Sequence, residues 1–284
     1  MRFGVFYELQ LPRPWNQGDE RNLFHQALEQ VELADRLGYD YAWEVEHHFL
    51  EEYSHSSAPE VFLAAAAART KTIRLGHGIR QVIPNYNHPA RTADGLATLD
   101  IISDGRVDFG IGEGATRLEL GGFRIPAKEK RAMALEAAEQ IANMMVLQPY
   151  PGFEGKYFSM PCRNILPKPV QSPHPPMWMA CTNRDTIKIA AQNGVGALAS
   201  PSSTPRKHVF GPISITASSN QTPACRLVTR STLTLPWCRA SRCIGTAPRP
   251  SAAASKVSSS SATRSTHWLR TTPGPAAAVS GATL

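Results

Sequence analysis

The clearest chemical signal in the 284-residue chain is a pair of neighbouring histidines among acids, Glu44-Val45-Glu46-His47-His48. An imidazole titrates near neutral pH, so His47 and His48 can move protons as general acid or base while carboxylates orient them. Histidines also bind metals, but ligands usually come from several segments and no matching third segment stands out, so no metal is expected. A hydrogen-bonded loop pair is the plain alternative. Two glycine-flanked positions follow, Gly76-His77-Gly78 and Gly112-Glu113-Gly114. Glycine lets backbone approach a flat ring closely, although a strand bulge explains it equally well. Cys181-Thr182-Asn183-Arg184-Asp185-Thr186 offers hydroxyls, an amide and helix-start N–H groups, the makings of an anion site. Arg184 would add positive charge and Asp185 would oppose a phosphate; an ordinary helix cap uses the same residues. His88-Pro89-Ala90-Arg91 reads as helix capping with a solvated arginine. Nothing carries a Walker loop, a GxGxxG fingerprint or a serine nucleophile elbow.

Alternating strand and helix signals place these segments. Strands are predicted at Phe3–Tyr7, Tyr41–Val45, Ile73–Val82, Val107–Ile111, Met177–Cys181 and Val195–Ala199. Helices are predicted between them at Leu23–Leu37, Pro59–Thr70, Pro89–Ile102, Lys128–Leu147 and Asp185–Gln192. The proline-rich stretch Pro149–Pro176 is an excursion carrying a short strand at Lys156–Met160. About six βα units in a row favour a (β/α)8 TIM-type barrel, here incomplete, over a doubly wound sheet. In such a barrel the residues just past the strand ends line the active site, and four of the segments above fall there.

The charge is split along the chain. Before Ser200 there are 20 basic and 23 acidic residues; after it there are 10 basic residues and no acidic one. Those basic residues are scattered singly among Ser, Thr, Pro and Ala, with no cluster or stripe, which argues against a nucleic-acid partner. No apolar run approaches the ~20 residues that span a bilayer, and the first residues turn polar too soon for a secretory leader. A cytoplasmic, soluble protein is expected. The five cysteines have no metal-like spacing. Residues 1–199 thus form a barrel portion and 200–284 an irregular tail without amphipathic periodicity. Three readings of that tail compete: a disordered segment, an atypical second domain, and an out-of-frame translation. For the last, shifting the frame by one base lets Val257 to Thr272 be back-translated into a segment rich in Phe, Leu and Tyr with an amphipathic look.

Taken together, the residues up to about Ala199 resemble the luciferase-like flavin-dependent monooxygenases. The resemblance rests on Glu46-His47-His48-Phe49, Ile73-Arg74-Leu75-Gly76, His88-Pro89-Ala90-Arg91, Leu99-Asp100, Ser103-Asp104-Gly105-Arg106 and Phe109-Gly110-Ile111-Gly112. It implies a (β/α)8 barrel holding reduced flavin at its C-terminal mouth. His47 would be the active-site histidine that assists the flavin's oxygen chemistry, with His48 beside it. Gly76, His77 and Gly78 would lie against the flavin ring, through a non-prolyl cis peptide. Gly112 and Glu113 would border the cofactor, although they replace a reactive cysteine and an arginine of luciferase. Arg131 would clamp the flavin phosphate, with Thr182, Asn183 and Thr186 as its cradle, lacking the family's acidic residue. The implied reaction oxidises a small organic substrate with reduced FMN and O2. A flavin reductase would supply the cofactor, and the intact family suggests a homodimer. A deazaflavin-dependent oxidoreductase, a non-catalytic flavin-binding barrel and a metal-dependent hydrolase remain as alternatives.

Overall fold

A computed structural model of the protein describes residues 2–199. The expectations for the segment after Ala199 lie outside the described residues. Six parallel strands form one sheet: β1 (Gly4–Tyr7), β2 (Tyr41–Glu44), β3 (Arg74–Gln81), β4 (Val107–Gly112), β7 (Met177–Cys181) and β8 (Gly196–Ala199). A small antiparallel hairpin, β5 (Phe153–Glu154) and β6 (Ser159–Met160), interrupts them; the single short strand expected at Lys156–Met160 is the second arm of this hairpin. The large sheet runs β1-β2-β3-β4-β7-β8, in chain order with no reversal. A doubly wound sheet reverses at a switch point, so this order is that of a barrel wall.

Helices α1 (Asp19–Arg36), α2 (Pro59–Arg69), α3 (Pro89–Ile102), α5 (Lys130–Val146) and α6 (Arg184–Asn193) connect the strands, with a short extra helix α4 (Arg117–Gly122) after β4. Helix α1 begins a turn earlier than its apolar stripe, because Asp19 and Glu20 suit the positive end of the helix dipole. Pro89 opens α3 where its missing N–H costs nothing, and the His88 side chain accepts the Ala90 N–H at 3.2 Å. Asp104 and Gly105, with φ of 54° and 75°, then turn the chain left-handed into β4.

Alternation along the strands separates two faces. Leu75, Val107, Phe109 and Met177 join the core beneath the helices, with Ile73, Leu75, Val107 and Phe109 fully buried. Each such side chain contributes roughly 1.5–3 kcal/mol by leaving water. The other face carries Phe6, Trp43, Gly76 and Asp108 across β1 to β4, and Gly110, Trp178 and Gly196 across β4 to β8. Large rings lie over glycines here: a Cβ on Gly76 would overlap the Trp43 ring, and one on Gly196 the Trp178 ring. Trp178 Nε1 donates to Asp108 at 2.9 Å, and Asp108 also pairs with Arg74 at 2.5 Å.

Candidate active site

Parallel strands in register bring Glu8, Glu46 to His48, Gln81, Gly112, Glu113 and Thr182 to the same rim of the sheet, at or just past the strand ends. The expected rim loops are therefore neighbours. His47 Nδ1 lies 3.0 Å from Glu119 Oε1 on α4, and the same oxygen accepts the His48 backbone N–H at 3.0 Å. The Thr116 hydroxyl donates to Glu119 Oε2 at 2.6 Å. Glu119 is 0% exposed, while the His47 side chain is 17% exposed. Burial alone would raise the Glu119 carboxyl, but hydrogen bonds from His47, Thr116 and the His48 backbone bring it below its ordinary value. An ionised Glu119 accepts a proton-bearing Nδ1, which leaves Nε2 as the nitrogen free to take a proton. That nitrogen lies 3.9 Å from Glu8 Oε2. Tyr53 packs edge-on against the His47 ring, 5.5 Å between centroids.

His48 is held differently. Its Nε2 is 3.1 Å from Glu46 Oε1, and its ring sits among Tyr86, Phe123 and Phe49. Glu46 is buried and saturated: it accepts Gln81 N–H at 2.9 Å and the Asn87 amide at 2.8 Å, with Arg80 Nε at 3.4 Å. His48 is thus braced in an aromatic box, whereas His47 is the histidine with an open nitrogen.

Between β4 and β7 the rim forms a cleft lined by Val82, Gly112, Glu113, Arg131, Met179 and Thr186, with about 30 Å³ of free space. Arg131 donates to Glu113 through Nε at 3.1 Å and Nη2 at 3.2 Å, and Lys130 Nζ stands 3.5 Å from the same carboxylate. Hydrogen bonding to Glu113 raises the Arg131 guanidinium above its ordinary value. The rest of the lining is mostly apolar, including Ile111, Ala134, Leu135 and Ile189, and the Thr186 hydroxyl donates to the Asn183 carbonyl, so Arg131 and the adjacent Lys130 are the groups here that can meet a phosphate. The expected Gly112, Glu113, Arg131 and Thr186 thus meet in one place.

Other expected cofactor residues lie elsewhere. His77 is fully buried on the helix-side face, edge-on to Phe109, and has no surface to offer a ligand. Burial, helped by Arg80, pushes its imidazole down to about 3, so it is neutral. Gly76 and Gly78 face the Trp43 and Phe6 side chains, which a Cβ at either glycine would meet. The four cis peptides among the described residues all precede proline, so the non-prolyl cis bond is not found; a register shift between His77 and Arg80 bends the strand instead. Asn183 caps α6, accepting the Asp185 and Thr186 N–H groups at 3.0 Å each, with the Thr186 hydroxyl completing a capping box. Those N–H groups are spent on the helix itself, and Thr182 is exposed outside the cleft.

The sequence reading did not single out Glu119, Lys130 or Glu8. Glu119 carried a signal, since Thr116-Arg117-Leu118-Glu119 fits the capping pattern of a helix start. Among the described residues no group of three His, Cys, Asp or Glu side chains could hold a metal ion, and no helix is long and apolar enough to cross a membrane.

The family model described as "Luciferase-like monooxygenase" matches residues 1–212. The chain belongs to the luciferase-like monooxygenase family. A flavin-dependent trigonelline monooxygenase, oxygenase component, from Acinetobacter baylyi is 32% identical over 206 residues, 71% of this chain and 54% of that protein. The crystal structure of monooxygenase RslO1 from Streptomyces bottropensis is 35% identical with a TM-score of 0.66, covering 72% of this chain and 61% of the other. The FMN complex of the oxygenating constituent of 3,6-diketocamphane monooxygenase from Pseudomonas putida shares the fold, with 22% identity and a TM-score of 0.62 over 70% of this chain and 57% of the other. This luciferase-like chain spans between 54% and 58% of the length of the first three curated relatives it matches.

Proposed function

We infer that this chain is the flavin-handling part of the oxygenase of a two-component monooxygenase, acting on a small organic substrate with reduced FMN and O2. The observation that carries this reading is His47, held through Nδ1 by the fully buried Glu119 with Nε2 left open on the strand-end rim. Arg131 and Lys130 stand on the same rim beside a mostly apolar cleft, two cations that could meet a phosphate. FMN, when bound, supplies the electrons and reacts with oxygen. Arg131 and Lys130 would hold its phosphate, with Gly112 and Thr186 shaping the seat. His47 Nε2 would take or give a proton at the reacting end, and Glu119 would keep its tautomer fixed. A separate reductase would deliver the reduced cofactor, as the name of the Acinetobacter relative, an oxygenase component, suggests. A cytoplasmic location fits a protein fed by a soluble reductase.

The test is a titration of the full chain with FMN and with a deazaflavin coenzyme, followed by oxygen-dependent turnover with a reductase present. Trigonelline serves as the first probe substrate. Saturable FMN binding, with turnover lost but binding kept in His47→Ala, is the expected result. Binding of neither coenzyme rejects the proposal, and preference for the deazaflavin moves the chain to a hydride-transfer chemistry that needs no oxygen. Equal turnover in His47→Ala would leave only a non-catalytic flavin carrier.

A further inference from the structure

The seat beneath Arg131 is filled by the chain's own carboxylate. Glu113 takes Arg131 through Nε and Nη2 at 3.1 and 3.2 Å, the flat two-point grip that guanidinium otherwise gives to two phosphate oxygens. Lys130 leans on the same carboxylate, 3.5 Å away, and its Nζ is anchored to the Gly114 carbonyl at 2.5 Å. Glu113 lines the cleft together with Arg131 and Thr186. Asp185, at the start of α6, adds a further negative charge felt by Arg131. A phosphate and Glu113 therefore compete for one guanidinium edge, and their like charges repel at that distance.

We propose that Glu113 is an internal stand-in for the cofactor's phosphate. It neutralises and orients Arg131 and Lys130 while the seat is empty, and it swings aside when the phosphate arrives. Gly112 before it is fixed by pairing in β4 and Gly114 after it is left-handed (φ 73°), so the movement is one of the side chain. The consequence is a deliberately loosened grip on the phosphate end, which suits a protein that must exchange flavin with a reductase. This inference rests on the reading of Arg131 as the phosphate clamp.

The experiment titrates the full chain and its Glu113→Gln variant with FMN and with riboflavin, which lacks the phosphate, following flavin fluorescence. Glu113→Gln is expected to tighten FMN by about fivefold to tenfold and to leave riboflavin within about twofold, as loss of one partly solvated charge pair implies. Unchanged riboflavin affinity also shows that the variant is folded. Weaker FMN binding overturns the proposal, because Glu113 would then be orienting Arg131 for the phosphate. Unchanged FMN binding overturns it as well, and so does an equal change for both flavins, including loss of both. A separate arm tests the reading beneath it: if Arg131→Ala keeps the wild-type preference for FMN over riboflavin, Arg131 is not the clamp. In that case the stand-in role falls with it, whatever Glu113→Gln does.

Discussion

Glu119 is the buried group on which the proposed chemistry of His47 depends, and two substitutions separate what its charge does from what its shape does. In Glu119→Gln the amide oxygen can still accept from His47 Nδ1 and the His48 N–H, both 3.0 Å from the present Oε1. The amide nitrogen then faces Thr116, whose hydroxyl, now donating at 2.6 Å, can rotate to accept. Orientation and tautomer survive, and only the charge opposite a protonated imidazole is lost; a fall in turnover of about tenfold is expected, ~1.4 kcal/mol. Glu119→Ala removes the acceptor altogether, freeing the ring and leaving the His48 N–H without its partner. Turnover should then fall by about 10²–10³-fold, ~3–4 kcal/mol, the range for a misplaced general acid or base. Flavin affinity should change little in either variant, because the cleft holding Arg131 does not include Glu119. The assay is steady-state turnover with fluorescence-measured flavin affinity, extended to the double variant His47→Ala/Glu119→Ala. If Glu119 acts through His47, the double variant is no slower than His47→Ala alone. Additive losses, or equal losses in the Gln and Ala variants, would refute the positioning argument.

Three further outcomes follow from buried or crowded groups away from His47. Burial pushes Glu44 up to about 9, against a hydrogen bond from Ser56 and helped by Glu60, so the folded chain binds a proton there that the unfolded chain releases near pH 4.5. Stability should therefore fall as pH rises from about 5 toward 9, and Glu44→Gln should remove about 2–4 kcal/mol of that fall, measured by urea melts at both pH values. Asp35 is drawn down to about 2: partial burial opposes this, but the Thr72 hydroxyl and the Lys71, Thr72 and Ile73 N–H groups outweigh it. Its contribution is present above about pH 4 and is lost as pH falls toward 2. Asp35→Asn should cost about 1 kcal/mol at pH 7 after allowance for solvent screening, and flatten the acid limb of the melting curve. Gly76→Val would drive a side chain into the Trp43 ring; thermal melts should show about 2–3 kcal/mol of destabilisation, with an accompanying change in tryptophan emission.

Apolar periodicity made most of the wall legible. Helix α3 begins and ends where its flanking Pro89 and Ser103-Asp104-Gly105 signals put it, because proline and left-handed turns act locally and need no tertiary partner. The Ser103 to Arg106 motif, which helped to suggest the family, is a structural device. Arg106 donates to the carbonyls of Ala67, Thr70, Ile73 and Ser103 and so ties the end of α2 to the start of β3. A motif can therefore mark a family through its fold as readily as through its chemistry. Helix α4 was less visible: six residues ending in two glycines show too few turns for a period to emerge, although the Thr116 cap was written in the chain.

The placement of the site residues expected on β3 has a simple physical origin. The family resemblance implies that Gly76, His77 and Gly78 lie together against the flavin ring, yet consecutive residues of a strand point to opposite faces. With Leu75 committed to the helix-side core, His77 must join it, two residues on, and the glycines must face the other way. Alternation alone thus puts His77 on the face opposite Gly76 and Gly78. Past the last ladder bond that constraint ends, and the partners of His47 and Glu113 fix where their side chains lie. Glu119 arrives 72 residues after His47, and Arg131 18 residues after Glu113. Such pairings depend on where α4 and α5 return to the rim, a property of the assembled wall that no local pattern encodes.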